Sequence, residues 1–231
     1  MFYKDWEPIY KKIAQDFNFQ VRNDKKAADV LDELLQKKHL FSIKELEELI
    51  VAKEVVIFGA GPSLENLILK HKNEIVKKVK ISADGATSAL LKNDIFPDII
   101  VTDLDGEIAD QVIANSKGSI AIIHAHGDNI SEIKKFVPKF NKNIIGSTQI
   151  DPIPYKNIYN FGGFTDGDRA VFLASHFKAK KIHLIGFDFD GIIGKYSYPE
   201  KKDIKLKLKK LKWCKYLIGL LMQKNQQISY L

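Results

Sequence analysis

Three observations predict an α/β fold: a Rossmann-like, mostly parallel sheet with flanking helices, an N-terminal helical cap and a long C-terminal helix. From about residue 53 short β-branched runs alternate with helical periodicity, as βαβ units require. Those runs end again and again in glycine or aspartate, residues that turn a chain out of a buried strand. Before residue 50 the apolar residues recur instead at spacings of three and four.

The chain of 231 residues, 45% hydrophobic and 28% charged, has the size and balance of one sizeable α/β domain with an appendage. The expected division is a helical cap over 1–50, a Rossmann-like domain over 51–200 and a basic helix over 201–231 packed on the core. No signal-peptide pattern opens the sequence and no apolar run approaches membrane-spanning length, so a cytoplasmic protein without a membrane partner is expected. Cys214 is the one cysteine, which excludes an internal disulfide and a cysteine-based metal cluster. A net charge of +7 suits nucleic acid only if the excess is spread over a surface. Here eight lysines crowd between Lys201 and Lys215 against Asp203 alone, interleaved with Leu206, Leu208 and Leu211. That pattern predicts a solvated helix face rather than a nucleic-acid surface, with a second reading in which the helix overhangs an anionic substrate such as ATP.

Taken in order, Trp6, Ile9, Tyr10, Ile13 and Phe17 predict a first helix, and Ala27, Val30, Leu31 and Leu34 a second. Leu46, Leu49 and Ile50 predict a third, opened by a capping box of Ser42 and Glu45. No polar constellation stands out there, and its aromatics read as packing. Strands are predicted over Glu54–Phe58, Val79–Ala83, Ile99–Thr102, Ser119–His124, Asn143–Gly146, Asn157–Phe161 and Lys181–Ile185. Helices are predicted through Leu64–Ile75, over Ala86–Leu91, from near Thr165, and over Lys201–Asn225.

The strand ends carry the chemistry. Asp103 and Asp105 leave the third strand two residues apart in Pro97–Gly106, PDIIVTDLDG, which suits a hard divalent cation; a cap plus a turn residue is the plainer alternative. Gly59, Gly61, Pro62 and Ser63 sit between a strand and a helix, where backbone N–H groups cradle phosphate. Leu64 occupies the place of the third glycine in a dinucleotide fingerprint, so NAD is not favoured. Asp84, with Gly85, lies about twenty positions beyond the glycine turn, the place of a ribose-binding acid, and is open to nucleotide or metal. His124 and His126 would suit zinc, but the carboxylate-rich surroundings favour Asp128 as a magnesium ligand instead. Thr165, Asp166 and Arg169 open a further helix, Arg169 being a natural phosphate partner or an ion-pair partner of Asp166. Asp188 adds one more acid at a strand end.

GAGPSLE at 59–65, SADGA at 82–86, FPDIIVTDLDG at 96–106, HAHGDN at 124–129, GGFTDGDRA at 162–170 and LIGFDF at 184–189 together resemble the archaeal 6-hydroxymethyl-7,8-dihydropterin diphosphokinases, the MptE-like family. Two segments are also similar to the ADGG and GDFDS motifs of thiamine pyrophosphokinases, with Gly106 where those enzymes carry serine. The resemblance implies transfer of diphosphate from ATP to a reduced pterin, dependent on Mg²⁺ and releasing AMP, in tetrahydromethanopterin or folate biosynthesis. On that reading Asp103, Asp105 and Arg169 are catalytic, Asp103, Asp105 and Asp128 hold metal, and Gly59, Gly61, Pro62, Ser63, Asp84, Gly85, Thr165 and Asp166 bind the nucleotide. The expected partners are ATP and the pterin, with a homo-oligomer open. A glycosyltransferase-like enzyme using a nucleotide sugar is the alternative, since a D-x-D pair serves there too.

Overall fold

The computed structural model describes residues 3–198, 203–224 and 227–231. Three helices come first: α1 (Tyr3–Phe17), α2 (Val21–Leu35) and α3 (Ile43–Ile50). The strands are β1 (Glu54–Phe58), β2 (Val79–Ala83), β3 (Ile99–Thr102), β4 (Ile120–Ala125), β5 (Ile144–Thr148), β6 (Ile158–Tyr159), β7 (Lys181–Ile185) and β8 (Ile228–Tyr230). Between them run α4 (Leu64–Ile75), α5 (Ala86–Leu91), α6 (Ile108–Ser116), α7 (Ile130–Phe136), α8 (Asp166–His176) and α9 (Ile204–Gln223).

The order across the sheet is β6-β5-β4-β3-β2-β1-β7-β8, and each described pairing is parallel. All strands therefore discharge their carboxyl ends along one edge. The chain winds from β1 out to β6, then crosses back to place β7 on the other flank of β1. The turns after β1 and β7 thus flank the switch point, where open α/β sheets take their ligands.

Helices on both faces bury the strands on both sides. Val55 and Ile57 of β1 join a core shared with α1, α2, α8 and α9, while Val56 and Phe58 join a second core with α4 and α5. This is why Glu54–Phe58 reads as one apolar run rather than an alternation. Burying a side chain the size of Phe58 contributes about 2–3 kcal/mol.

The N-terminal helices do more than cover apolar surface. Trp6 meets Phe172 of α8 edge-on with ring centroids 5.9 Å apart, and its Nε1 donates to the Gln149 carbonyl at 3.0 Å. The Tyr10 hydroxyl donates to the Asp24 carboxylate, whose other oxygen accepts the Gly127 N–H at 2.7 Å. A polar chain from α1 through α2 therefore reaches the loop after β4, where the sequence suggested packing alone. Ser42 caps α3 by accepting the Lys44 N–H at 3.2 Å, one residue short of the position a capping box would use.

Two further differences concern the C-terminus. The chain continues past α9 into β8, which pairs with β7; a three-residue strand is too short to announce itself by pattern. Lys201, Lys202 and Asn225, expected in the last helix, lie outside the described residues, and Asp203 is its N-cap. Among the described residues no helix is long and apolar enough to cross a membrane.

Candidate active site

The turns after β1, β2, β3 and β7, with the N-terminus of α8, line a cleft of about 340 Å³, within the range of small-molecule sites. On it converge Asp84 after β2, Asp103 after β3 and Asp166 at the start of α8. Each offers a carboxylate oxygen, and these atoms all lie within 4.8 Å of one another. Among the described residues the buried Oδ1 of Asp103 has no hydrogen-bond partner. Leaving such an atom unsatisfied costs about 1–3 kcal/mol or more. Three all-oxygen ligands with one orphaned oxygen fit a hard divalent cation.

Each carboxylate is placed by its neighbours. Asp84 has φ +44°, its N–H bonds the Val101 carbonyl at 2.9 Å, and its Oδ1 accepts from Thr102 Oγ1 at 3.0 Å and Gln111 Nε2 at 2.9 Å. Gly106 lies against the same group: its φ is +96°, and a Cβ there would stand 2.9 Å from Asp84 Oδ2. Asp103 Oδ2 faces His126 Nε2 at 3.3 Å and an Arg169 terminal nitrogen at 4.0 Å. The buried Asn129 amide then locks two turns together. It donates to the carbonyls of Asp103 at 2.7 Å and His124 at 2.8 Å and accepts the His126 N–H at 3.1 Å. Asp166 pairs with Arg169 at 2.9 Å, so the ion pair foreseen between them is formed.

Electrostatics divide the labour. Burial opposes the charge on Asp103, yet the His126 hydrogen bond and the charges of His126 and Arg169 hold that carboxyl well below the usual range. Burial, followed by the charge of Asp103, pushes Asp166 up to about 7 despite Arg169. Below about pH 7 the metal-free pair therefore holds a proton that an entering cation would displace. Burial, then the neighbouring Arg169 and His126, keep His124 neutral, with Nδ1 3.0 Å from Ser147 Oγ. The two histidines thus serve different partners rather than a shared zinc.

The sequence-predicted set is partly regrouped. Asp105 and Asp128 line the cleft as exposed residues and are not in the converging trio. The reason lies at Leu104, whose φ of +67° breaks the two-residue alternation assumed for a continuing strand. It is buried, and its N–H is held by Thr102 Oγ1 at 2.9 Å. Gly59 and Gly61 line the cleft, but Pro62 and Ser63 do not. The Gly61 N–H bonds the Gly186 carbonyl at 2.9 Å, and the Ser63 N–H and hydroxyl donate to Asp188 Oδ2 at 3.0 and 2.8 Å. An internal carboxylate thus takes donors expected for phosphate, and a Cβ on Gly61 would stand 2.2 Å from it. Gly85 lines the cleft beneath the Tyr196 carbonyl. Thr165 lines it too, with its hydroxyl donating to Asp168 at 2.6 Å in the cap of α8. Gln111 and Asn129 escaped sequence reasoning. Asn129 stood inside the HAHGDN motif, whereas nothing around Gln111 marked it.

Residues 28–193 match a family model described as "6-hydroxymethylpterin diphosphokinase MptE-like". A Methanocaldococcus jannaschii protein named 6-hydroxymethyl-7,8-dihydropterin pyrophosphokinase is 48% identical over 96% of this chain and 96% of its own. Relatives of the same name from Pyrococcus furiosus and Methanothermobacter thermautotrophicus are each 42% identical, over 94% and 84% of this chain and 93% and 82% of theirs. A solved MAf glycosyltransferase from Magnetospirillum magneticum AMB-1 aligns with a TM-score of 0.33 and 19% identity, over 71% of this chain and 28% of that one, too slight a likeness to bear on the chemistry. With a family match over most of its length and relatives alike nearly from end to end, the chain belongs to the MptE-like family of 6-hydroxymethylpterin diphosphokinases.

Proposed function

We propose that the protein transfers a diphosphoryl group from ATP to the hydroxymethyl oxygen of 6-hydroxymethyl-7,8-dihydropterin, with Mg²⁺ as its metal. The alcohol oxygen bonds to the β-phosphorus, the bond from that phosphorus to the bridging α,β-oxygen breaks, AMP leaves, and the hydroxyl proton is released. The observation that carries this reading is the convergence of the Asp84, Asp103 and Asp166 carboxylates, Asp103 having one buried oxygen without a hydrogen-bond partner among the described residues. These three would hold the ion, with Asp105 and Asp128 at the edge of the same cleft.

A bound Mg²⁺ supplies charge neutralisation on the transferring phosphates. The protein's own part is positioning. Arg169 ties Asp166 beside Asp103, Asn129 fixes the turn that bears Asp103, and Gln111 with Thr102 fixes Asp84. Phe19, Phe164 and Phe187 give the cleft flat apolar walls suited to a fused ring.

Incubation with ATP, Mg²⁺ and the reduced pterin is expected to yield AMP and pterin diphosphate in equal amounts. Asp103→Asn should lower that rate by about 100-fold or more. Formation of ADP instead, turnover of thiamine in place of the pterin, or cleavage of a sugar nucleotide with ATP inert would overturn the reading.

A further inference from the structure

One stripe of α9 changes character along its length. Residues three and four apart share a helix face, and Cys214, Leu217 and Leu221 form such a face as buried packing. Followed toward the N-terminus, the same spacing reaches Lys210 and Lys207, which line the cleft together with Leu206 and Leu211. Other contacts hold the helix in this pose. Lys209 pairs with Asp16 at 2.8 Å, Trp213 Nε1 donates to the same carboxylate at 2.8 Å, and Asp203 accepts the Leu206 N–H at 3.1 Å. A helix anchored for packing alone would carry apolar residues along its inward stripe. This one carries two lysines where the stripe passes the cleft.

The charge of the cleft gives them meaning. Seven aspartates line it against Arg169, Lys207 and Lys210, and the guanidinium of Arg169 is engaged by Asp166 at 2.9 Å. One divalent ion offsets two negative charges, and a triphosphate would bring several more. An anion entering such a cleft requires cations that the acidic trio does not supply. Lys210 also lies 6.0 Å from the ring centre of Phe164, an aromatic wall of the same cleft.

We propose that Lys207 and Lys210 seat the β- and γ-phosphates of the donor nucleotide in the cleft that holds Asp84, Asp103 and Asp166. The identity of the donor rests on the diphosphokinase reading above; the seat itself is recognised by any polyphosphate.

The test is calorimetric binding of α,β-methylene-ATP with Mg²⁺, and of inorganic tripolyphosphate, to the full chain. Lys207→Gln and Lys210→Gln should each weaken both ligands about tenfold, the size of one lost charge-assisted contact. AMP, which lacks the β- and γ-phosphates, should bind these variants as it binds the parent. Lys210→Arg should recover most of the affinity, and the pair Lys205→Gln with Lys212→Gln, exposed on the same helix, should leave it within twofold. Equal affinities in the parent and the Lys207/Lys210 double variant, an equal loss for AMP, or no polyphosphate binding by the parent would overturn the seat. Lysine-dependent binding without AMP formation from ATP and pterin would keep the seat and remove the diphosphokinase reading. AMP formation with lysine-independent binding would do the reverse.

Discussion

Arg169→Met removes the one guanidinium set between two carboxylates, and its cost should depend on pH. At an effective dielectric of about 20, and above about pH 7 where Asp166 is charged, unit charges at the separations of Arg169 from Asp166 and Asp103 attract by about 6 and about 4 kcal/mol; the separations are 2.9 and 4.0 Å. Desolvation of the buried arginine cancels much of that, so the net loss expected is about 3–5 kcal/mol. Asp166 keeps its proton in the fold up to about 7, whereas an unfolded aspartate loses it near 4. The fold therefore binds an extra proton between those values, and this group's contribution to stability falls as pH rises through that window and is level above it. Without Arg169 the window extends upward, and each added unit costs about 1.4 kcal/mol more at high pH. Urea denaturation without metal should show a larger loss at pH 8.5 than at pH 6. Added Mg²⁺ should then stabilise the variant at least as much as the parent, because a ligand of the folded state replaces the missing positive charge. An equal loss at both pH values, with Mg²⁺ moving neither protein, would show that Arg169 acts through packing and not through charge.

Asn129→Ala strips two buried carbonyls and an N–H of their partner, which should cost about 1–3 kcal/mol and lower kcat more than it raises KM for ATP; a stability loss under 0.5 kcal/mol, about the scatter of surface changes, would contradict the clamp. His124 is held neutral by burial, so below about pH 6.5 the unfolded chain takes up a proton that the fold refuses. Stability should therefore fall as pH drops from 6.5, by up to about 1.4 kcal/mol per unit for this group. His124→Gln should flatten the urea-measured slope by one proton's worth, with His183, also lowered by burial, leaving a remainder. An unchanged slope would place the charge-sensitive group elsewhere.

Much of this architecture was legible because parallel strands buried on both faces announce themselves as apolar runs closed by turn residues. The seven strands that begin before residue 190 all lie where such runs stood. The site was legible as a rim but not as a grouping. Asp103 and Asp105 look paired in a linear reading, since residues two apart share one side of an extended strand. A buried leucine in the left-handed region between them cannot be foreseen, because that conformation is unfavourable for leucine in isolation and exists only where tertiary contacts impose it. Asp84 stays open between nucleotide and metal in the sequence, and Asp166 reads there as a nucleotide contact, because distance from Asp103 along the chain conceals nearness across the sheet edge. The glycine turn shows the same limit from the other side. Its composition matched a phosphate cradle, while the carboxylate that takes up its serine donors arrives from residue 188.

The position of β1 between β2 and β7 also dictates an order of assembly. During synthesis β1 meets β2 within some 25 residues, yet its other edge stays open until Lys181–Ile185 has been made. Late, long-range parallel pairing is slow and leaves a bare strand edge exposed to other chains meanwhile. Asp84 and Asp103 are in place early, but Asp166, the turn after β7 and the lysines of α9 all come afterwards. On the proposed reading, metal and nucleotide should therefore bind only a chain made through α9, and a truncated product ending before β7 should combine an aggregation-prone edge with no capacity to be rescued by either ligand.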